Sequence, residues 1–168
     1  MRLISELCIL KIDKIEAKRT ADLEKTARTI TKIISKAPKL ETVSIERLTS
    51  QEFYMFVDVY TLFDLPRSPV HPLRNLALQD MIADLDVLII FFRRYAGTLV
   101  AVTFTRMVCA DSPWSTVLER LKALTFPNLR QFRLDHCFEY SINGAPPDVT
   151  DVTDYILDRT DHNSQPGS

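Results

Sequence analysis

LRQFRLDHC, Leu129 to Cys137, carries apolar side chains at its first, fourth, sixth and ninth positions. Its centre, Phe132, Arg133 and Leu134, alternates as a strand does, so the two apolar residues face a core and Arg133 faces away from it. Working outward along the chain, the same spacing recurs as Leu7, Leu10, Ile12 and Ile15, and as Leu40, Val43, Ile45 and Leu48. It recurs again as Leu73, Leu76, Leu78 and Met81, and as Leu99, Val102, Phe104 and Met107. The copies begin at Leu7, Leu40, Leu73, Leu99 and Leu129, in steps of 33, 33, 26 and 30 residues. A period of this length marks supersecondary units that bury their apolar sides against one another.

The stretches between the copies read as helices. Thr20 is expected to cap a helix carrying Leu23, Ala27, Ile30 and Ile34 on one face, which ends where Pro38 forbids continuation. Ser50 caps a second, with Phe53, Val57 and Tyr60 together, before the proline-bearing run from Asp64 to Pro72. Asp84 opens a third, with Leu85, Leu88, Ile89 and Phe92 buried and Gly97 as its stop. Ser112 and Pro113 start a fourth, with Trp114, Val117, Leu118, Leu121 and Leu124 as its apolar face. After a loop from Asn143 to Pro147, Val149, Val152, Tyr155 and Ile156 predict a last helix from about Asp148 to Arg159 that closes the stack. Strand and helix thus alternate, which builds either a curved stack of repeats or a doubly wound sheet, and the shared motif favours the stack. The expected architecture is one α/β domain over residues 1–160, with about five parallel strands and helices on the convex side, followed by a flexible tail at 161–168.

Composition narrows the function classes. The chain has 168 residues, 46% apolar and 26% charged, with 21 basic residues diluted by 22 acidic ones to a net charge of -1, so no basic face for nucleic acid is expected. Cys8, Cys109 and Cys137 form no paired zinc or disulfide motif, which suits an intracellular, reducing compartment. Glu6 interrupts the apolar start, and the longest apolar run, Val87 to Phe92, is far shorter than the roughly 20 residues a membrane span needs, so neither export nor membrane insertion is expected.

The repeated LxxLxL segments resemble the leucine-rich repeats of the ribonuclease-inhibitor-like superfamily. More narrowly, Trp114 to Cys137, with STVLERLKALTFPNLRQFRLDHC after the tryptophan, resembles the irregular repeats of fungal F-box proteins, where a helix leads through an FPxL turn into the next strand. The resemblance covers roughly Leu7 to Arg159 and implies a leucine-rich-repeat solenoid acting in protein binding, with substrate recognition for a ubiquitin ligase as its narrower implication. The F-box itself, which docks such proteins on a Skp-type adaptor, is not found, since a repeat strand follows Met1 almost at once. Ubiquitin-ligase components are therefore expected partners on the condition that an F-box is supplied elsewhere. Leu3, Ile4 and Ile9 are expected to lie partly uncovered, which fits a chain cut from a longer array.

In such a solenoid the side chains that alternate with the core line the concave face. By register these are Ile9, Lys11 and Asp13; Thr42, Ser44 and Glu46; Asn75, Ala77 and Gln79; Ala101, Thr103 and Thr105; and Gln131, Arg133 and Asp135. The residues expected to touch a protein partner are Lys11, Asp13, Ser44, Glu46, Asn75, Gln79, Thr103, Thr105, Gln131, Arg133 and Asp135. The next column along is Lys14, Arg47, Asp80, Arg106 and His136. Neutral residues fill the middle repeats and charges gather toward the ends, as a polypeptide laid across the strands would require, although solvated strand residues chosen for solubility would read the same way.

Enzyme chemistry finds little support. His136 and Cys137 are adjacent on a strand and point to opposite faces, and Cys137 reads as the apolar residue closing the fifth copy. His71 lies in a proline-rich turn and His162 in the tail, each without an evident partner. Asp148, Asp151, Asp154 and Asp158 recur at helical spacing, which fits a solvated helix face better than a cation site. Three glycines, Gly97, Gly144 and Gly167, cannot build a phosphate-cradling loop, so neither cofactor nor metal is expected. Arg93, Arg94 and Tyr95 suit a helix end, and Trp114 a packed stripe. The expected function is a non-enzymatic protein-interaction scaffold; a small doubly wound α/β enzyme and a structural remnant without activity are the alternatives.

Overall fold

The computed structural model describes residues 2–50, 57–63, 71–139 and 150–157. In chain order the elements are α1 (Arg2–Ser5), β1 (Ile9–Ile12), β2 (Ile15–Ala17), α2 (Thr20–Ser35), β3 (Thr42–Ile45), β4 (Leu48–Ser50), β5 (Val57–Asp58), α3 (Val59–Phe63) and β6 (Asn75–Gln79). They continue as β7 (Met81–Ala83), α4 (Leu85–Tyr95), β8 (Ala101–Thr105), β9 (Val108–Cys109), α5 (Trp114–Lys122), β10 (Gln131–Asp135), β11 (Phe138–Glu139), β12 (Thr150–Asp151) and α6 (Thr153–Leu157).

The fold is mixed α/β. Five parallel strands form the main sheet in the order β1-β3-β6-β8-β10, and β12 joins β10 antiparallel at its end. The strand partners are the residues the repeat spacing aligns: Ile9 with Thr42, Thr42 with Asn75, Asn75 with Ala101, and Ala101 with Gln131. The order therefore advances one strand per repeat and never reverses. Short strands form two further parallel sheets, β2 with β4, and β5, β7, β9 and β11 in turn.

Alternation decides which face is buried. Val43, Ile45, Leu76, Leu78, Val102, Phe104, Phe132 and Leu134 turn inward and join the buried faces of the helices in one continuous core. From Leu40 onward, every apolar position of the repeat is at most 3% exposed, whereas Leu7, Leu10, Ile12 and Ile15 of the first copy are half-buried. An aromatic cluster fills the middle: the Phe92 ring lies 5.4 Å from Phe132, 5.9 Å from Phe104, 6.0 Å from Phe126 and 5.5 Å from Phe91. Trp114 packs into this core, 3% exposed and 6.1 Å from Phe104.

Several helix boundaries differ from the sequence-based expectation. Thr20 is the first helical residue of α2 and Arg19 precedes it as the cap position, so Thr20 does not cap. Ser50 ends β4 rather than capping a helix, and α3 spans Val59–Phe63, because Val57 belongs to a strand and Asp58 supplies the cap, accepting from the Tyr60 N–H at 3.0 Å. Phe53 and residues 64–70 lie outside the described residues. Gly97 does not take a left-handed conformation; α4 ends at Tyr95, whose carbonyl accepts from the N–H groups of Thr98 and Leu99. Pro113 occupies the cap position of α5 and Ser112 precedes it. Near the far end Asp151 lies on β12 rather than on a helix, and Tyr155 is 44% exposed beneath the Lys122 ammonium, 5.1 Å from its ring centre. Residues 140–149, with the expected loop at Asn143 to Pro147, and residues 158–168, with His162 and the tail, are outside the described residues. No helix among the described residues is long and apolar enough to cross a membrane.

Candidate functional site

The outward side chains of the main sheet fall into rows set by strand register. Ile9, Thr42, Asn75, Ala101 and Gln131 form the first row, and Lys11, Ser44, Ala77, Thr103 and Arg133 the second. Gln79, Thr105 and Asp135 form a third, and Asp13 and Glu46 follow the ends of the shorter strands β1 and β3. Glu46 still holds to the ladder, since its N–H donates to the Ile12 carbonyl at 2.9 Å. The structure thus brings Lys11, Ser44, Asn75, Gln79, Thr103, Thr105, Gln131, Arg133 and Asp135 onto one open face. Lys11, Asn75 and Arg133 are exposed, and the threonines between them are half-buried with room for contact. Asn75 donates its side-chain amide to the Thr42 hydroxyl at 3.2 Å, which knits the first row together.

At the carboxyl edge the next column is not an open surface row. Asp80 is 6% exposed and takes a φ of 54°, directly after β6. Arg106 donates Nε and Nη2 to its two carboxylate oxygens at 2.7 and 2.8 Å, and Arg47 donates Nε at 2.7 Å. Burial pushes the Asp80 carboxyl up, but the hydrogen bonds and charges of Arg106 and Arg47 outweigh it and hold the group below the usual carboxylate value. The same hydrogen bond raises Arg106. Arg106 and His136 repeat the left-handed bend, each with a φ of 50°, after β8 and β10. The bend has a structural purpose: it turns Met81, Met107 and Cys137 back into the core, where each is fully buried. His136 hydrogen-bonds through Nδ1 to the Asp135 carboxylate.

This ion-paired column was legible only in part. Its five members align by counting, but no sequence signal announces that Asp80 would be buried between two guanidiniums. Register also brings Asp151 opposite Arg133, a neighbour that helical spacing had assigned elsewhere. Where nucleophiles might be sought, Cys137 and Cys109 are buried, and burial pushes both thiols up to about 11, the value of an inert side chain. His71 is buried and pushed down, first by burial and further by the charge of Arg94, with the main chain of Ala37 pulling the other way. Among the described residues no group of three His, Cys, Asp or Glu side chains is placed to hold a metal ion.

Comparison with known proteins adds no relative. No family model matches the chain, no curated protein matches it, and no solved structure matches its fold.

Proposed function

We propose that the chain is a short, irregular leucine-rich-repeat solenoid that binds another protein along the concave face of its sheet. One observation carries this reading: the parallel strands pair in the register of the sequence repeat, so that Lys11, Ser44, Ala77, Thr103 and Arg133 make one continuous outward row. The row is small and neutral at its centre and basic at both ends, with carboxylates at Asp13, Glu46 and Asp135 along one side. An extended segment crossing the strands would meet a flat, hydrogen-bonding floor and an anchor at each end. The strand order supports binding over catalysis, because it never reverses and so makes no switch-point crevice of the kind doubly wound enzymes use. The resemblance of Trp114 to Cys137 alone supports a narrower reading, in which the bound protein is a ubiquitin-ligase substrate on the condition that an F-box is supplied elsewhere.

The test is an affinity capture from cell extract with the wild type and a triple variant, Ser44→Arg, Gln79→Ala and Arg133→Glu. All three side chains point away from the core, so circular dichroism of the variant should match the wild type. Loss of a specific captured protein supports the reading. Capture that the triple variant leaves intact sinks it.

A further inference from the structure

Among the described residues the main sheet ends in the short antiparallel β12 on one side and in β1 on the other. Beyond β10 the chain returns as β12, pairing Arg133 with Asp151 and Leu134 with Thr150. There Val152, just before α6, and Ile156 on it enter the core, the Phe132 N–H donates to the Thr153 hydroxyl at 2.6 Å, and the Val152 N–H donates to the Phe132 carbonyl at 2.9 Å. No such cover lies over β1, which has no strand on its outer side among the described residues.

The main-chain groups of β1 show what that edge can accept. The carbonyls of Cys8 and Ile12 take N–H groups of Glu41, Thr42 and Glu46 on the β3 side, so the even-numbered residues face inward. By alternation the N–H and C=O groups of Ile9 and Lys11 face outward. The apolar rows of the core also stop short here. Leu10 and Ile12 are half-buried, although their equivalents on every later strand are buried, and Ile9 is 56% exposed.

We propose that β1 is a self-association edge, and that a second copy of this chain docks on it by antiparallel pairing of the two β1 strands about a two-fold axis. This does not rest on the proposed function. Symmetry selects the arrangement. A head-to-tail stack would have to pair β1 with the outer edge of β12, which is two residues long against the four of β1, so the self-complementary contact of β1 with β1 offers the longer ladder. The period of two then selects the register, since Leu10 must oppose Leu10 or Ile12 of the partner to keep the apolar faces on one side. Opposing Leu10 with Ile12 would set Lys11 against Lys11, which is unfavourable. Leu10 therefore opposes Leu10, and Ile9 opposes Lys11, whose aliphatic stem covers it. In this register each Ile9 and Lys11 pair exchanges both N–H···O bonds, and Glu6 falls on the side of the partner's Lys14. Each end of β1 already carries both signs of charge, Glu6 with Lys39 at 2.6 Å and Lys14 with Glu16 at 3.0 Å, so no like-charged blocks meet.

Sedimentation equilibrium of the purified chain over a concentration series tests the proposal. The expected result is a monomer–dimer equilibrium. Lys11→Pro removes an outward N–H without touching the bonds to β3, and should weaken the dimer by at least about tenfold. Ile9→Lys, which sets a lysine against Lys11, should weaken it comparably, while Ile9→Glu, which sets a carboxylate there, should keep it. Circular dichroism checks that each variant folds; the exposed Ile9 pair carries the test if Lys11→Pro does not. A monomer at every concentration overturns the proposal, as does association that grows beyond the dimer. So does a dimer that Lys11→Pro leaves unchanged, or one that Ile9→Lys and Ile9→Glu weaken alike.

Discussion

Asp80 joins three physical constraints in one residue. Its main chain is left-handed, a conformation that aspartate tolerates better than most side chains. Its carboxylate is 8% exposed and would be costly to bury alone, yet Arg47 and Arg106 reach it from the segments just past the neighbouring strands β3 and β8. Asn fits the same bend and volume without the charge, so Asp80→Asn isolates the ion pairs. We expect it to lose about 2–3 kcal/mol in urea unfolding at neutral pH, less than a fully buried pair would, because both guanidiniums are about a third exposed. Because the folded-state pKa is depressed, this contribution is full above the ordinary value of 3.8 and is lost as the pH falls through the lower folded-state value. Wild type and variant should therefore converge in acid; a constant difference down to low pH would mean that charge is not what the site provides. Counting along the repeat puts Arg47, Asp80 and Arg106 in one column, but what makes them a unit is the burial of Asp80 at the bend after β6.

At the scale of elements, period and partner contribute differently. The periodicity of α2, α4 and α5 follows from apolar spacing, and the residues it selects, among them Ile30, Ile34, Leu88, Phe92, Val117 and Leu121, are buried. The helix expected around Tyr60 is present as α3 but begins only at Val59, because Val57, which fits a helical face by spacing, pairs instead with Met81 of β7. Tertiary pairing there overrides a weak local pattern. The α4 helix shows how much one side chain couples a helix to the sheet. Phe92 reaches Phe104 on β8 and Phe132 on β10, so Phe92→Ala should cost about 3–5 kcal/mol by thermal or urea unfolding. Ile90 on the same helix is 48% exposed, and Ile90→Ala should stay within about 0.5 kcal/mol. Equal losses at the two positions would contradict the packing described for α4.

At the scale of the molecule, each main strand pairs with the strands of its neighbouring copies, and one continuous core runs beneath the sheet. The two ends differ. The first copy leaves Leu7, Leu10, Ile12 and Ile15 half-buried, whereas Val152 and Ile156 of the last elements are buried. Amide hydrogen exchange, measured in protein too dilute to self-associate, should accordingly find β1 and β2 opening well before β6 and β8. Uniform protection across all strands would show instead that the sheet unfolds as one unit.

The sequence by itself determined the number and order of the main strands, their relative register and the side each presents to the core. All of these follow from apolar residues that recur at fixed offsets and from the alternation of a strand. It also determined that Lys11, Ser44, Thr103 and Arg133 would share a face, because that follows from the same register. Only the tertiary structure decided that Asp80 would be buried between two arginines, that Val57 would join a strand, and that β12 would pair beyond β10 while, among the described residues, no strand pairs beyond β1. These depend on which surfaces meet across many residues, and a local pattern carries no information about the partner that completes a contact.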